Sequence, residues 1–180
     1  RKKIIYSLNT HLFTNSSGTK SDTAEYLKIR KDKILVFPLL VKESKNRINS
    51  FYERDYSICI VGRLNRSKGH AEFLILFSKC IEIYPDLKLK IAGDGFLKTE
   101  LISIVQKLNI EHNVSFLGSI PNHNIDAVFS KSLISVSSSL EEAYGLVNIE
   151  ALREGTPLLC TKTFGSTDII EERYNGLFFD

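Results

Sequence analysis

Four charged residues are spaced to hold one ligand that carries both negative charge and hydroxyl groups. Arg63 and Lys68 lie in GRLNRSKGH (62–70), a loop that leaves an apolar run at Gly62 and opens the next element at Gly69. An arginine can grip phosphate through two parallel N–H bonds and a lysine adds a point charge, so the pair suits an anion. Spacing alone leaves a solvated basic loop equally open, and the loop is not a P-loop, because G-xxxx-G-K-[ST] is missing. Glu142 and Glu150 lie in SSSLEEAYGLVNIEALREGTP (137–157). On one continuous helix the eight steps between them turn through about 800°, which leaves the carboxylates about 80° apart and off a common face. Two local readings compete. Ser139-Leu140-Glu141-Glu142 has the S-x-x-E form of a capping box, in which Glu142 bonds back to the N–H of Ser139 and needs no ligand. If the helix instead starts near Gly145, Glu142 stands in a loop and Glu150 lies more than a turn inside. Both then face one ligand at the helix N-terminus, bonding sugar hydroxyls while N–H groups near Gly145, Leu146 and Val147 hold phosphate.

These residues need a scaffold, and the hydrophobic pattern supplies one. Short apolar runs at 56–62, 87–93, 113–118, 132–138 and 157–161 read as buried strands, with a sixth beginning at 176. Between them, apolar residues recur every three or four positions at 70–84, 97–108, 122–131, 146–155 and 166–173, which marks helices. Pro85 stops the first of these, Pro121 starts the third, and Gly155 ends the fourth. Strands alternating with helices predict an α/β doubly wound parallel sheet, Rossmann-like, with ligands beyond the carboxyl ends of the strands. The GDG at 93–95 reads as a tight turn with Asp94 exposed, and His123 as a surface residue. The first 50 residues break the rhythm. The segments 2–8 and 33–41 read as strands, 10–28 as a polar loop with a short helix, and 42–55 as a charged linker.

The 180 residues suffice for one domain with a real core. A net charge of +3 suits an anionic ligand without calling for nucleic acid. No apolar stretch is long enough to span a membrane, and no signal peptide is visible. The three cysteines, Cys59, Cys80 and Cys160, sit far apart in apolar runs and read as reduced core residues, which favours the cytoplasm. No cluster has metal-ligand spacing, so no metal or cofactor is expected. The opening Arg1 and the apolar run just begun at the end suggest a piece of a larger protein.

GRL-NRS-KG, IAGDG, VSFLG, S-x-x-E-x-YGLVNIEAL-x-EGTPLL, GSTDII and NGL follow one another in that order. The series resembles the C-terminal, nucleotide-sugar-binding domain of retaining GT-B glycosyltransferases, over about residues 56–180. Residues 14–41 are more weakly similar to the tail of the preceding lobe. The resemblance implies residues 1–50 as a remnant of that lobe with its crossover linker, and 51–180 as the nucleotide-sugar-binding domain. It implies Arg63 and Lys68 on the donor diphosphate with Gly62 beside them, and Glu142 next to the transferred sugar. Glu150 would bind the ribose hydroxyls, the backbone at Tyr144, Gly145, Leu146 and Val147 would cradle phosphate, and Gly118, Ser119 and Ile120 would lie near the base. Two departures stand out. The family usually has phenylalanine at Tyr144, and often a Gly-Gly-x-x-Glu loop where this chain has Phe164-Gly165-Ser166-Thr167-Asp168, so no role follows for Asp168.

The implied activity is transfer of a sugar from an NDP-sugar, with retained configuration, in polysaccharide or glycoconjugate synthesis. The glycan or lipid-linked acceptor would sit on the preceding lobe. That lobe would also decide any peripheral attachment to the inner face of the membrane, and the 180 residues alone would bind donor weakly and transfer nothing. A sugar-nucleotide epimerase or phosphorylase lobe, or a non-catalytic binding module, are the alternatives. The seven-residue Glu–Glu spacing after GRL-xxx-KG favours the transferase over the first, and the intact charged set argues against the second.

Overall fold

The computed structural model describes residues 12–44 and 48–180. The strand expected at 2–8 lies outside them. A small unit comes first: β1 (Leu12–Thr14), α1 (Ser17–Leu27) and β2 (Ile34–Val36), with the two strands parallel. Both β1 and the early start of α1 fall in a stretch that reads as polar loop. The helix starts there because the Ser16 hydroxyl accepts from Thr19 N–H at 3.1 Å, satisfying one of its free donors. β2 is far shorter than the run 33–41. Pro38 follows closely and has no N–H to continue a ladder.

The main sheet holds β3 (Asp55–Val61), β4 (Lys88–Ala92), β5 (Val114–Gly118), β6 (Ser132–Ser137), β7 (Leu158–Thr161) and β8 (Gly176–Phe179). Its order is β5-β4-β3-β6-β7-β8, with every pairing parallel. The connecting helices are α2 (His70–Ile83), α3 (Lys98–Lys107), α4 (Asn122–Ser130), α5 (Leu146–Arg153) and α6 (Phe164–Ile169). β3 is central and buried on both faces, as the run SICI requires. Ile58 and Ile60 point into one core with Phe73, Leu74 and Phe77 of α2, and Cys59 into the other with Phe129, Ala151 and Leu158. Burial pushes the Cys59 thiol up to about 11 and the Cys160 thiol up to about 12. Cys80 corrects the reading of three core cysteines, since it is exposed on α2.

Among the connecting helices the bounds of α6, expected at 166–173, differ most. It begins at Phe164 because Thr163 and Ser166 cap each other, Ser166 N–H donating to Thr163 Oγ1 at 3.2 Å and Thr163 N–H to Ser166 Oγ at 2.8 Å. It ends at Ile169, whose carbonyl accepts from Asn175 Nδ2 at 3.0 Å. The strand order reverses between β3 and β6. A crevice must open there, beyond the carboxyl ends of the two strands.

Candidate active site

Both loops that leave this crevice carry the charged residues singled out above. After β3 the chain makes a 3-10 turn at Arg66–Lys68, passes Gly69 at φ 62 and enters α2. Glycine is needed at 69 twice over: the φ is left-handed, and a Cβ would lie 2.0 Å from the Ser138 carbonyl oxygen. The loop after β6 is bonded to the first. Ser138 Oγ donates to the Lys68 carbonyl at 2.8 Å, and Leu140 N–H to the Ser67 carbonyl at 2.8 Å. This brings the Lys68 ammonium onto the Glu142 carboxylate, both half-buried. The Lys68 stem lies over Gly62.

No helix begins at Ser139, so the capping-box reading fails. α5 begins at Leu146, after Gly145 at φ 87, and Glu142 stands in the loop before it. Glu150 sits in the second turn of α5. It shares a pocket of about 270 Å³ with Arg63, Asp94, Ser119, Ile120 and Val147. Burial raises the Glu150 carboxyl above its usual range, Arg153 opposing and Asp126 adding to the shift. Arg153 is itself committed, paired with Asp126 and with Glu154 at 2.9 Å. Arg63 is exposed and has no ion-pair partner among the described residues. Gly118, at φ 70, presents open backbone beside this pocket. Leu146 faces a neighbouring cleft of about 740 Å³ that also reaches Glu150. Glu142 faces a third cleft of about 790 Å³ between α1 and α6, with Thr19, Asp22, Lys162 and Phe164 on its walls. One anion could therefore meet Arg63, Lys68 and the N-terminus of α5 together, with a carboxylate on each side of it.

The sequence profile described as glycosyl transferases group 1 matches residues 41–180. The chain belongs to that family. Its fold is the Rossmann-like lobe of a GT-B glycosyltransferase. It is 29% identical over 161 residues to the N-acetylgalactosamine-N,N'-diacetylbacillosaminyl-diphospho-undecaprenol 4-alpha-N-acetylgalactosaminyltransferase of Campylobacter jejuni, spanning 88% of this chain and 43% of that one. Among solved structures, S. aureus TarM superposes with a TM-score of 0.84 at 19% identity, over 95% of this chain and 34% of TarM. The pneumococcal O-GlcNAc transferase GtfA, solved with UDP and GlcNAc, superposes with a TM-score of 0.82 at 18% identity, over 99% of this chain and 35% of GtfA. The chain spans less than half the length of the curated relatives it matches.

In this member of the group 1 family the two departures from the usual pattern have structural partners. Tyr144 is buried, and its hydroxyl donates to the Leu39 carbonyl at 2.7 Å. Asp168 accepts from the N–H of Ser17, the first residue of α1, at 2.5 Å, and so complements the positive end of that helix. Thr19 adds a bond to the Ala143 carbonyl at 3.3 Å. The small N-terminal unit is thus fastened to the Glu142 loop and to α6. Tyr144→Phe is expected to lower unfolding stability by about 1 kcal/mol, the net worth of one hydrogen bond, without displacing Glu142. Urea denaturation of the two proteins measures it.

Sequence reasoning missed Thr19 and Asp22, which lie far along the chain from Glu142 and reach it only through the docking of α1. It also passed over His70 and Asn148, both buried beside the crevice. A signal for His70 was present: it lies three and four residues before Phe73 and Leu74, on the core face of α2.

Proposed function

We propose that this chain is the donor-binding lobe of a retaining glycosyltransferase that uses an NDP-sugar. The observation that carries the reading is the Lys68–Glu142 pair at the sheet's switch point, with Arg63, which has no ion-pair partner among the described residues, and half-buried Glu150 on the adjoining pocket. Arg63, Lys68 and the N-terminus of α5 would hold the diphosphate, and Glu150 would accept from the ribose hydroxyls. The backbone of Gly118, Ser119 and Ile120 would face the base. Lys68 would turn from Glu142 to the phosphate, freeing the carboxylate to bond the sugar. In transfer the bond from the sugar anomeric carbon to the diphosphate oxygen breaks. An acceptor oxygen bonds that carbon on the same face, and its proton goes to the departing phosphate. Arg63 and Lys68 stabilise the charge left on the diphosphate, the work a metal does elsewhere, so the proposed reaction uses none. The cleft between α1 and α6, open to Glu142, is where the acceptor would enter.

The acceptor class is a glycan or lipid-linked sugar, in keeping with the diphospho-undecaprenol named for the C. jejuni relative, and the pathway is glycoconjugate or polysaccharide synthesis. Residues 1–50 would belong with the acceptor lobe and its crossover, and 51–180 with the donor. No described helix is long and apolar enough to cross a membrane. We place the reaction in the cytoplasm, where free thiols such as Cys80 persist.

The test is calorimetric titration with UDP, GDP and ADP, alongside Glu150→Gln. One nucleotide should bind, and the substitution should weaken it about tenfold, the loss of one charge-assisted hydrogen bond. Glu150→Gln should also raise stability at pH 7. The raised Glu150 carboxyl is charged there in both folded and unfolded chains, and its burial counts against the fold. That penalty disappears as pH falls through the raised value toward the ordinary 4.5, so the stability gap between the proteins should close in acid. Thermal melts at pH 7 and pH 4 read this. If none of the three nucleotides binds at millimolar concentration, the donor reading fails.

A further inference from the structure

Two buried polar side chains that share a cavity with the Lys68–Glu142 pair carry nitrogens with no hydrogen-bond partner among the described residues. His70 is 1% exposed and Asn148 is 2% exposed. Neither ring nitrogen of His70 nor the amide nitrogen of Asn148 has a hydrogen bond among the described residues. Buried polar groups are rarely left so, because each unmet donor or acceptor costs about 1–3 kcal/mol. They come from the first turns of α2 and α5, the two helices whose N-termini converge on the crevice. Both open on one small cavity of about 20 Å³, together with Lys68, Glu142 and Gly145. A Cβ on Gly145 would stand 2.9 Å from Asn148 Nδ2, so the amide lies directly against the turn that starts α5.

We propose that His70 and Asn148 are positioning residues that hold one internal water against the Glu142 carboxylate. Size selects the ligand: the cavity exceeds the ~10–15 Å³ that one water needs and excludes phosphate or a sugar hydroxymethyl group. Chemistry agrees. Burial first, then the nearby Lys68 ammonium, hold His70 down to about 4, so its ring is neutral, with one N–H donor and one bare nitrogen. A water accepts from Asn148 Nδ2, donates to the bare nitrogen of His70 and keeps a second proton for Glu142. Glu142 sits in a loop, with no helical ladder to fix its side chain. The water supplies a partner that stays when Lys68 turns to a phosphate. Only that last step rests on the donor reading above.

The experiment is a crystal structure of the unliganded protein at high resolution, with His70→Leu and His70→Gln, followed by UDP, GDP and ADP titrations of all three. Wild type should show one density peak within about 3.2 Å of a His70 ring nitrogen and of Asn148 Nδ2. His70→Leu should lose the peak, move the Glu142 carboxylate and weaken nucleotide binding about fivefold or more, while His70→Gln, which keeps a donor and an acceptor, should retain all three within about twofold. A direct His70–Asn148 hydrogen bond with no density between them overturns the proposal. So does a His70→Leu protein with Glu142 unmoved, or equal weakening by Leu and Gln, which would mark His70 as packing alone. Should His70→Leu fail to fold, Asn148→Ala is read the same way. If no nucleotide binds wild type, the donor reading falls, while the density peak and the Glu142 position still decide the water.

Discussion

Gly93→Ala is expected to cost at least about 3 kcal/mol of stability and to abolish nucleotide binding. Gly93 follows β4 at φ 146, a conformation that L side chains rarely adopt, and a Cβ there would lie 1.8 Å from the Gly62 carbonyl oxygen. Neither side can yield cheaply. Gly93 N–H donates to Gly118 O at 2.8 Å, and Gly62 N–H donates to Ala92 O at 2.9 Å, so the ends of β3, β4 and β5 are bonded to one another where the clash falls. Relief requires the β3 and β4 ends to part by more than an ångström. Gly62 and Arg63 would be carried out of place against Ser119 and Ile120. For a chain of this size the melting temperature should drop by about 6–12 °C. Thermal melts and nucleotide titration check both halves. A variant that melts and binds like wild type would mean that these strand ends slide freely.

Arg54→Ala is expected to remove about 4 kcal/mol while leaving the crevice chemically intact. This arginine stands in a segment that reads as charged linker, yet its guanidinium is a hub. One Nη donates to the carbonyls of Phe129 at 3.2 Å and Ser132 at 2.8 Å and to Thr156 Oγ1 at 2.7 Å. The other donates to the carbonyls of Asn49 at 3.3 Å, Glu154 at 3.1 Å and Gly155 at 3.0 Å. Several of these carbonyls close helices α4 and α5, where a cation also meets the negative helix end. Alanine strands them in a half-buried site, and lysine, with a compact head and three donors, recovers only part. Urea denaturation should rank wild type, Arg54→Lys and Arg54→Ala in that order. The large loss expected for alanine separates this reading from a surface charge, whose removal would cost under about 0.5 kcal/mol.

The two cases show where sequence is informative and where it is silent. Glycines 62, 69, 93 and 145 are visible as residues: 62 and 93 close apolar runs, 69 and 145 stand before helical ones, and both placements announce turns. The clash that forbids alanine at 93 is with Gly62, whose position beside it depends on β3 pairing with β4. Arg54 carries no pattern at all: five of its six acceptors are main-chain carbonyls, from four other segments, and a carbonyl has no letter in a sequence.

The alternation of apolar strands and amphipathic helices from 56 onward determined the parallel sheet, because burial on two faces and on one face leave different periodicities. The order of GRL-NRS-KG, GDG and the spaced glutamates determined the family. Tertiary structure decided the rest. It chose between a helix cap and an ion pair for Glu142, since Lys68 lies 74 residues away and arrives only through the bonds from Ser138 and Leu140 to the other loop. It gave Asp168 a partner in Ser17 and brought Thr19 to the cleft beside Glu142, by packing a helix against residues more than a hundred positions distant. It also placed His70 and Asn148 against one cavity, a meeting set by where two helices begin along neighbouring strands. Local sequence specifies which segments form and which faces are apolar. Which side chains then share a few ångströms depends on strand order and loop registry, and these follow from the packing of the whole chain.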